Sequence, residues 1–341
     1  MLSATTELKH AQKVKEYLVK HNLVNLDFFP VKELGRIYFP ILKKVKVPGA
    51  EVVDTKFSFP QKQHEAALEE LLSKVLTKTE LELLPHSQEI IGKIMILEIP
   101  SELQHKEKQI AQAFLKANKT IETIVRKSEF HSGVYRTRKV KVLAGKNTKE
   151  TIHAENGVKI KLDIGQAYFS ARLAHERLRI ARQVKAGEEV LVMFSGVAPY
   201  PLVIARNSKA RLIYGIEINP SAHQYALQNV EINRFGHRII IYNGDVRQVV
   251  PQHFRGKRFD RIVMPLPKTG EEFLDVALPL VKKKGMVHLY AFLTEADINP
   301  EKKRITGLCA KRGYEVKILD AVKCGQFSPR LFRVCFDMRV S

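Results

Sequence analysis

Two acidic residues stand at the ends of predicted buried strands, where a carboxylate can bind a nucleoside. Glu217 lies near the end of the apolar segment RLIYGIEI (211–218), and Asp245 follows the segment RIIIYN (238–243). A carboxylate accepts hydrogen bonds, so it suits the two hydroxyl groups of a ribose or the edge of an adenine. The carboxyl ends of neighbouring parallel strands meet at one edge of a sheet, where nucleotides bind in α/β folds. The pair therefore predicts a nucleoside site.

A glycine-containing turn precedes both acids. The strand EVLVMF (189–194) leads into the turn SGVAP, and a helix is predicted from Tyr200. Gly196 in that turn lets the backbone approach a ligand where a β-carbon would clash. An ordinary strand-to-helix connection would look the same. Because the chain contains neither GxGxxG nor the Walker pattern GxxxxGK[ST], S-adenosylmethionine is favoured over NAD and ATP.

A charged helix face is the next candidate for chemistry. Within the predicted helix 166–184, Arg172, Glu176 and Arg179 are spaced at i, i+4 and i+7, which gathers them on one face. The helix ends shortly before the strand 189–194, so this face can overlook the crevice. A surface ladder of salt bridges explains the same spacing, and the helix pattern alone does not separate the two interpretations.

A run of positive charge lies between residues 135 and 149, where six basic residues occur and no acidic one. On an extended strand, alternation places Arg136 and Arg138 on one face, and Thr137 and Lys139 on the other. Most of such a run is a solvated surface. The remainder could contact phosphates, which position a nucleic acid without reading its sequence.

Composition and charge favour a polyanionic partner. The 341 residues carry a net charge of +21 and are 45% hydrophobic, which allows two or three domains with real cores. Nucleic acid is the first expectation and a membrane surface the second, although a salt-rich or hot cytosol also explains the charge.

No apolar run approaches the roughly 20 residues of a membrane span. Three cysteines without a CxxC pair, and no secretory signal, predict a reduced, cytoplasmic location. Twelve scattered histidines lack ligand spacing, so we expect no metal.

Strand and helix patterns predict three domains. Residues 1–57 form a small α/β module with one helix and two strands, and 64–165 form a β-rich α+β domain that includes a strand at 90–99. Residues 166–341 alternate strands with helices, one of them at 270–283. This alternation predicts a parallel, doubly wound, Rossmann-like sheet, and its closing antiparallel pair is typical of class I methyltransferases. The expected fold class is therefore α/β.

Several motifs together resemble the archaeal tRNA guanosine-37 N1-methyltransferases. They are FHSGVYRTR (130–138), TIHAENG (151–157), YFSARLAHER (168–177), FSGVAPYPLVIA (194–205), IEINP (216–220) and GDV (244–246), and the likeness extends over nearly the whole chain. The stretch GVAPYPLVIA and the strand end MPLP (264–267) are similar to one branch in particular. That branch, the tRNA guanine-37-N1/4-demethylwyosine-37 methyltransferases, works in wyosine biosynthesis.

The resemblance implies a residue-by-residue assignment of the site. It places the general base on Glu176 and its arginine partner on Arg136, and it implies a cofactor site made of Arg177, Phe194, Gly196, Val197, Pro199, Glu217, Ile218, Asp245 and Val246. Two positions depart from the family pattern: Val192 stands for the usual aspartate at the end of the first strand, and Met264 for the usual asparagine at the end of the fourth. We further expect Met264 beside the cofactor, and Arg138, Tyr168, Phe169 and Pro265 around the RNA substrate.

The resemblance also implies the reaction. The chain is expected to be an S-adenosylmethionine-dependent tRNA methyltransferase acting on N1 of guanosine 37 and on C7 of 4-demethylwyosine at the same position. N1 of guanosine bears a proton, which a carboxylate within about 3 Å can accept as the methyl group arrives. Charge then builds on O6, where a guanidinium can donate two hydrogen bonds. The expected partner is tRNA, bound by its anticodon stem-loop and, through residues 1–57, by its body. We expect a monomer that binds no membrane.

Two other functions fit parts of the pattern. Val192 and Met264 remove polar contacts, which leaves open a tRNA-binding protein with a degenerate methyltransferase fold. A methyltransferase of proteins or small molecules is the third interpretation, and the +21 charge and the basic strand disfavour it.

Overall fold

The computed structural model describes residues 1–33, 35–55, 57–60, 63–84, 88–127 and 139–341, the side chains of residues 63–67 excepted. The chain divides into two compact units: residues 1–84 with 102–119, and residues 85–101 with 120–341. Among the described helices, none is both long and apolar enough to span a bilayer.

The first unit begins with a four-stranded antiparallel sheet and one helix. The strands are β1 (Leu2–Glu7), β2 (Val31–Glu33), β3 (Arg36–Pro40) and β4 (Glu51–Asp54), in the order β2-β3-β1-β4, and after a short 3-10 turn (Leu8–His10) the chain forms helix α1 (Ala11–Lys20). Val14 and Leu18 of α1 lie four residues apart, which is the spacing of one helix face, and both are buried in the core of this sheet. The predicted helix and both predicted strands of this region are confirmed.

Strand β1 lies in the interior of the sheet, and the sequence did not predict it. Its segment LSATTE places Ser3, Thr5 and Thr6 at buried positions, so the apolar alternation of a strand is obscured. The hydroxyls are satisfied internally: Ser3 donates to the carbonyl of Val53 (3.3 Å) and Thr6 to that of Gly49 (2.8 Å). Buried hydroxyls are tolerated because they are hydrogen-bonded.

Three further helices complete the first unit. They are α2 (Gln63–Ser73), α3 (Lys78–Glu82) and α4 (Glu107–Ala117), the last preceded by a 3-10 turn (Ser101–Lys106). Thr77 and Glu80 form a reciprocal capping box at the start of α3, in which each side chain accepts from the other's backbone amide.

The second unit contains two small sheets. Strands β5 (Glu89–Ile91), β6 (Ile94–Leu97), β7 (Thr123–Lys127) and β8 (Val140–Gly145) form the first, in that order, and β9 (Glu150–Glu155) pairs with β10 (Val158–Asp163) in the second. The single strand predicted at 90–99 is wrong, because the chain reverses at Gly92 and β5 pairs antiparallel with β6. Gly92 has φ +56°, and a β-carbon there would lie 2.3 Å from Oγ1 of Thr151.

A seven-stranded sheet forms the rest of the unit. Its strands are β11 (Glu189–Met193), β12 (Leu212–Glu217), β13 (Ile239–Asn243), β14 (Phe259–Met264), β15 (Val281–Leu293), β16 (Val316–Ser328) and β17 (Leu331–Val340). Its helices are α5 (Ala174–Gln183), α6 (Pro199–Asn207), α7 (Pro220–Ile232), α8 (Val246–His253), α9 (Leu274–Ala277) and α10 (Ile298–Ala310), with 3-10 turns at Ala171–Leu173, Gly270–Phe273 and Leu278–Leu280. The helix predicted at 270–283 is therefore broken into short turns, and its last residues belong to β15.

Both faces of this sheet are buried. Val190 and Val192 of β11 pack into one core cluster, whereas Leu191 and Met193 pack into another. A strand whose two alternating faces are both apolar must lie between two layers, as parallel strands do. The predicted doubly wound parallel sheet is confirmed for β11 to β15, and the predicted closing antiparallel pair is β16 and β17.

The strand order locates a crevice. The order is β13-β12-β11-β14-β15-β17-β16, so the chain moves outward from β11 to β13 and then returns to β14 on the other side of β11. Such a reversal opens a crevice at the carboxyl ends of the strands on either side of it.

Candidate active site

A cavity of about 430 Å³ opens at this crevice. Its lining follows four strands: Phe194 and Gly196 after β11; Ile216, Glu217, Ile218, Asn219 and Ala222 at β12 and beyond; Gly244, Asp245 and Val246 after β13; Pro265, Leu266, Lys268, Thr269, Glu272 and Phe273 after β14; and Tyr168 joins them. A mostly apolar, concave site of this volume suits a nucleoside-sized ligand.

Glu217 accepts hydrogen bonds from backbone amides that follow two neighbouring strands, β11 and β12. Its Oε2 accepts from the amide of Gly196 (2.7 Å) and its Oε1 from the amide of Asn219 (2.8 Å). Burial raises the pKa of Glu217 above its usual value, although amide donors at Asn219, Gly196 and Ile218 oppose the rise. The carboxylate therefore fixes the glycine turn against the end of β12. Each oxygen keeps a further lone pair for a hydroxyl donor.

The turn after β11 is conformationally unusual. Phe194, Gly196 and Ala198 have φ of +59°, +56° and +67°, and Ala198 is the N-cap residue that immediately precedes α6. A left-handed conformation costs a residue with a β-carbon on the order of 1–2 kcal/mol. Such strain is concentrated at functional sites, so the turn itself supports a ligand-binding role.

Asp245 has a structural role as well as a place in the lining. Its Oδ1 accepts from the backbone amide of Arg247 (2.7 Å), which caps the amino end of α8. The capped helix end keeps the carboxylate at the mouth of the cavity. A group that needs a hydrogen-bond acceptor, such as an adenine amino group, fits there.

An aromatic wall closes one side of the cavity. The rings of Phe194 and Phe273 meet edge to face with centroids 4.8 Å apart, and the guanidinium of Arg247 lies 4.9 Å from the Phe273 ring centre. Flat apolar side chains of this kind suit a nucleobase.

Glu176 lies in α5 inside a buried polar network. Tyr290 donates to its Oε1 (2.6 Å), and Arg179 donates to both carboxylate oxygens (2.7 and 2.8 Å). Tyr290 in turn accepts from the hydroxyl of Tyr200 (2.9 Å). Burial raises the pKa of Tyr290 well above its usual value, so its hydroxyl keeps the proton that it donates.

The network continues through Arg179 to the last strand. Arg179 also donates to Asp337 (2.6 Å), and Nδ1 of His288 lies 2.6 Å from the same carboxylate. Burial acts to raise the pKa of Asp337, but hydrogen bonds from His288 and Arg179 prevail and hold it far below its usual value. Burial lowers the pKa of His288, and Arg261 approaches its Nε2 at 2.5 Å, so the ring is neutral and carries its proton on Nδ1.

A second buried ion pair fixes the start of α5. Nε and Nη2 of Arg177 each donate to one carboxylate oxygen of Glu155 in β9 at 2.5 Å, and the guanidinium also lies 5.1 Å from the ring centre of Phe169. Burial acts to raise the pKa of Glu155, but hydrogen bonds from His153 and Arg177 lower it below its usual value. The pair therefore locks α5 against the β9–β10 hairpin.

Comparison with known proteins identifies the family. Residues 151–317 match the TRM5/TYW2 methyltransferase domain, and residues 68–148 match the TYW2 N-terminal domain. The tRNA (guanine(37)-N(1))-methyltransferase Trm5b of Pyrococcus abyssi is 34% identical over 342 residues, covering 100% of this chain and 99% of the relative. The chain belongs to the TRM5/TYW2 methyltransferase family.

Two further members of the TRM5/TYW2 family represent its wyosine branches. The tRNA (guanine(37)-N(1))/4-demethylwyosine(37)-methyltransferase Taw22 of Nanoarchaeum equitans is 31% identical, over 73% of this chain and 97% of the relative. The tRNA(Phe) (4-demethylwyosine(37)-C(7)) aminocarboxypropyltransferase of Pyrococcus horikoshii is 32% identical, over 80% of this chain and 96% of the relative.

Solved structures of the TRM5/TYW2 family share this fold. Trm5b from Pyrococcus abyssi superposes with a TM-score of 0.73 at 32% identity, covering 100% of this chain and 99% of that one. The complex of aTrm5 with tRNALeu gives 0.70 at 28% identity, covering 100% of both chains. TYW2 of P. horikoshii in complex with MeSAdo gives 0.69 at 29% identity, covering 81% and 98%. The predicted class I methyltransferase fold is thereby confirmed.

In this TRM5/TYW2 chain, some of the predicted site residues share the cavity and others do not. The cavity is lined by Phe194, Gly196, Glu217, Ile218, Asp245, Val246, Tyr168 and Pro265. Outside that lining, the side chains of Val197 and Met264 lie in the two core clusters, Pro199 starts α6, and Phe169, Glu176 and Arg177 are buried in the contacts described above. Arg136 and Arg138 lie outside the described residues.

Sequence reasoning missed the loop that follows β14. Lys268, Thr269, Glu272 and Phe273 line the cavity, and the prediction had assigned part of this loop to a helix. The prolines and glycine in MPLPKTG were the available signal, since they interrupt both strand and helix.

Proposed function

We propose that this chain is an S-adenosylmethionine-dependent tRNA methyltransferase that methylates N1 of guanosine 37 and C7 of 4-demethylwyosine at the same position. The observation that carries this proposal is the strained glycine turn that Glu217 bonds to the end of β12, at the switch point of a class I sheet. Glu217, which holds the turn, also has lone pairs that can accept hydrogen bonds from a nucleoside. Family membership and the Taw22 relative support the two substrates.

The cavity residues fit the cofactor. Glu217 would accept from the ribose hydroxyls, Asp245 would hold the adenine edge, and Phe273 would cover one face of the base. The neighbour TYW2 contains MeSAdo, a nucleoside of the same class. When bound, S-adenosylmethionine supplies an electrophilic methyl group, which the protein must align with the acceptor atom while a base takes the proton of that atom.

Glu176 is the proposed acceptor of the N1 proton, and Arg136 the proposed stabiliser of charge on O6. The side chain of Glu176 is fixed from two directions by Tyr290 and Arg179. A fixed carboxylate needs little reorganisation before it accepts a proton. For a carbon acceptor, as in 4-demethylwyosine, a carboxylate in the same place would remove the proton that the new bond displaces.

Transfer RNA is the proposed partner. The net charge of +21 suits a polyanion, and the neighbour aTrm5 is bound to tRNALeu. We assign residues 1–57 to the tRNA body, 64–165 to contacts near the anticodon, and 166–341 to catalysis by a monomer in the cytoplasm. The three cysteines, Cys309, Cys324 and Cys335, are free thiols, as a reducing compartment allows.

Nucleoside mass spectrometry tests the activity directly. The purified protein is incubated with S-adenosylmethionine and, in parallel, with tRNA carrying guanosine or 4-demethylwyosine at position 37. We expect a methylated nucleoside from both substrates. A product from guanosine alone would remove the second activity, and an aminocarboxypropyl product would assign the chain to the other enzymatic branch of its family. Tight tRNA binding without any product would instead indicate a degenerate methyltransferase fold.

A further inference from the structure

An aromatic platform, consisting of Phe292, Phe327 and Arg333, lies at the end of the β16–β17 hairpin. Phe327 is 55% exposed, although it is a large apolar residue, and its ring packs in a tilted arrangement against that of Phe292, with centroids 4.2 Å apart and planes 38° apart. Arg333 pairs with Phe292 across β15 and β17, and its guanidinium carbon lies 5.2 Å from the Phe292 ring centre. The platform therefore presents flat π surfaces next to a positive charge.

Arg333 is held in place beside Tyr168. One terminal nitrogen donates to the hydroxyl of Tyr168 (3.1 Å), while its Nε is buried and has no hydrogen-bond partner among the residues that the structure describes. Because Nε is shielded from solvent, the guanidinium contributes its positive charge to the platform, and this donor does not itself reach a ligand.

The platform adjoins the cavity. Tyr168, which Arg333 contacts, lines the cavity, and the amide of Phe292 donates to the carbonyl of Pro267 (3.2 Å) in the lining loop. A molecule whose reacting group enters the cavity would therefore bring its neighbouring groups to the platform.

We propose that the platform stacks the base of a nucleotide adjacent to the target nucleotide in a single-stranded RNA loop, an inference that rests on the proposed function. An enzyme that modifies a base must first extrude it from its stack, which uncovers the face of the neighbouring base. An exposed aromatic ring next to a guanidinium replaces that lost stacking, and it accepts any base because every base has a π face. Arg330 in the hairpin turn adds a second positive charge for the phosphates.

A double-mutant cycle that combines a variant of the protein with abasic tRNA tests the proposed stacking. Wild type and Phe327→Ala are titrated with intact tRNA and with tRNA carrying an abasic site on the 5′ or on the 3′ side of the target nucleotide. Wild type should lose affinity roughly 5- to 150-fold when one of the two neighbouring bases is removed. With intact tRNA, Phe327→Ala should bind more weakly than wild type by the same factor. Its affinity should fall no further with the abasic tRNA that wild type binds more weakly. Phe327→Tyr, which keeps the ring, should restore wild-type affinity.

Leu319→Ala is the matched control, since Leu319 is an exposed apolar residue of the same strand, β16, and is 42% exposed. It should bind tRNA like wild type, and all variants should bind S-adenosylmethionine equally. The inference is overturned if Phe327→Ala and Leu319→Ala bind tRNA with equal affinity. It is also overturned if removal of the neighbouring base lowers the tRNA affinity of Phe327→Ala as much as that of wild type. If wild type binds tRNA with the expected dependence on Phe327 and the neighbouring base but transfers no methyl group, the inference stands and the proposed function fails.

Discussion

The hydroxyl of Tyr290 donates a 2.6 Å hydrogen bond to Oε1 of Glu176, and both side chains are buried. These residues are 114 positions apart in sequence, and their hydrogen bond joins α5 to β15. Arg179 contacts the same carboxylate, so Glu176 is oriented by a neutral donor on one side and a cation on the other. Orientation by surrounding groups is what a catalytic proton acceptor requires.

Tyr290→Phe should reduce turnover roughly 10- to 100-fold, because a hydrogen bond to a charged group contributes about 1.5–3 kcal/mol. The ring is retained, so packing changes little. Steady-state kinetics with saturating tRNA check this. Tyr200→Phe is the control: Tyr200 donates to Tyr290 and not to Glu176, so its loss should have a smaller effect. Equal turnover of Tyr290→Phe and wild type would show that the hydrogen bond has no part in catalysis.

Glu176→Gln should reduce turnover by roughly 10²- to 10⁴-fold, since it keeps the shape of the side chain and removes the proton acceptor. Affinity for tRNA and for S-adenosylmethionine should change little. Single-turnover rates and equilibrium binding, measured on the same preparations, separate the two effects. A collapse of tRNA affinity with normal turnover at saturation would make Glu176 a binding residue instead.

The cavity residues that follow regular strands could be predicted from the sequence. Glu217, Asp245 and Gly196 stand where apolar segments end, and parallel strands bring such ends to one edge of the sheet. Met264 shows the limit of that reasoning. Alternation along β14 places Val263 and Met264 in opposite core clusters, so the last strand residue lies below the cavity, and the loop after it forms the lining.

The network around Glu176 could not be predicted in the same way. Tyr290, His288 and Asp337 are single polar residues on strands whose other inward positions are apolar, and their partners lie on distant segments. No local periodicity indicates such a pairing, because it depends on the register between strands that are far apart in the chain: β15 pairs with β17 so that His288 lies opposite Asp337.

Glu217→Ala should weaken S-adenosylmethionine binding by about 1.5–3 kcal/mol, since it removes a charged acceptor for hydroxyl groups. Calorimetric titration measures this, with Glu231→Ala, at an exposed acid of α7 outside the cavity lining, as the control. In wild type, the affinity should decline on the acidic side as pH falls through the raised pKa of Glu217, which lies above 4.5, because protonation removes acceptor capacity. A cofactor affinity insensitive to both changes would place the ribose elsewhere.

Asp337→Asn should lower the free energy of unfolding at pH 7 by about 3–5 kcal/mol, the cost of removing one partner from a buried ionic network. The pKa of Asp337 is depressed in the folded protein, so its stabilisation is fully present above the unfolded pKa of about 3.9 and is lost as pH falls through the folded value. The difference between wild type and variant should therefore narrow below about pH 4. Denaturant unfolding at a series of pH values checks this. A difference in the free energy of unfolding that stays constant with pH would contradict the conclusion that Asp337 is ionised in the folded protein.

Asn229→Ala should lower the free energy of unfolding by about 1–3 kcal/mol, because its buried amide satisfies three backbone groups. It accepts from the amide of Lys161 (2.7 Å) and donates to the carbonyls of Lys161 (2.9 Å) and Val197 (3.0 Å). The last bond ties α7 to the glycine turn, so S-adenosylmethionine binding should weaken as well. Asn233→Ala is the matched control, since Asn233 makes the same pair of bonds to Lys159 one helical turn away and does not reach the turn. Calorimetry on both variants should show weaker cofactor binding for Asn229→Ala alone. If both variants bind the cofactor equally weakly, the β9–β10 hairpin, which both residues hold, is what determines the cofactor affinity.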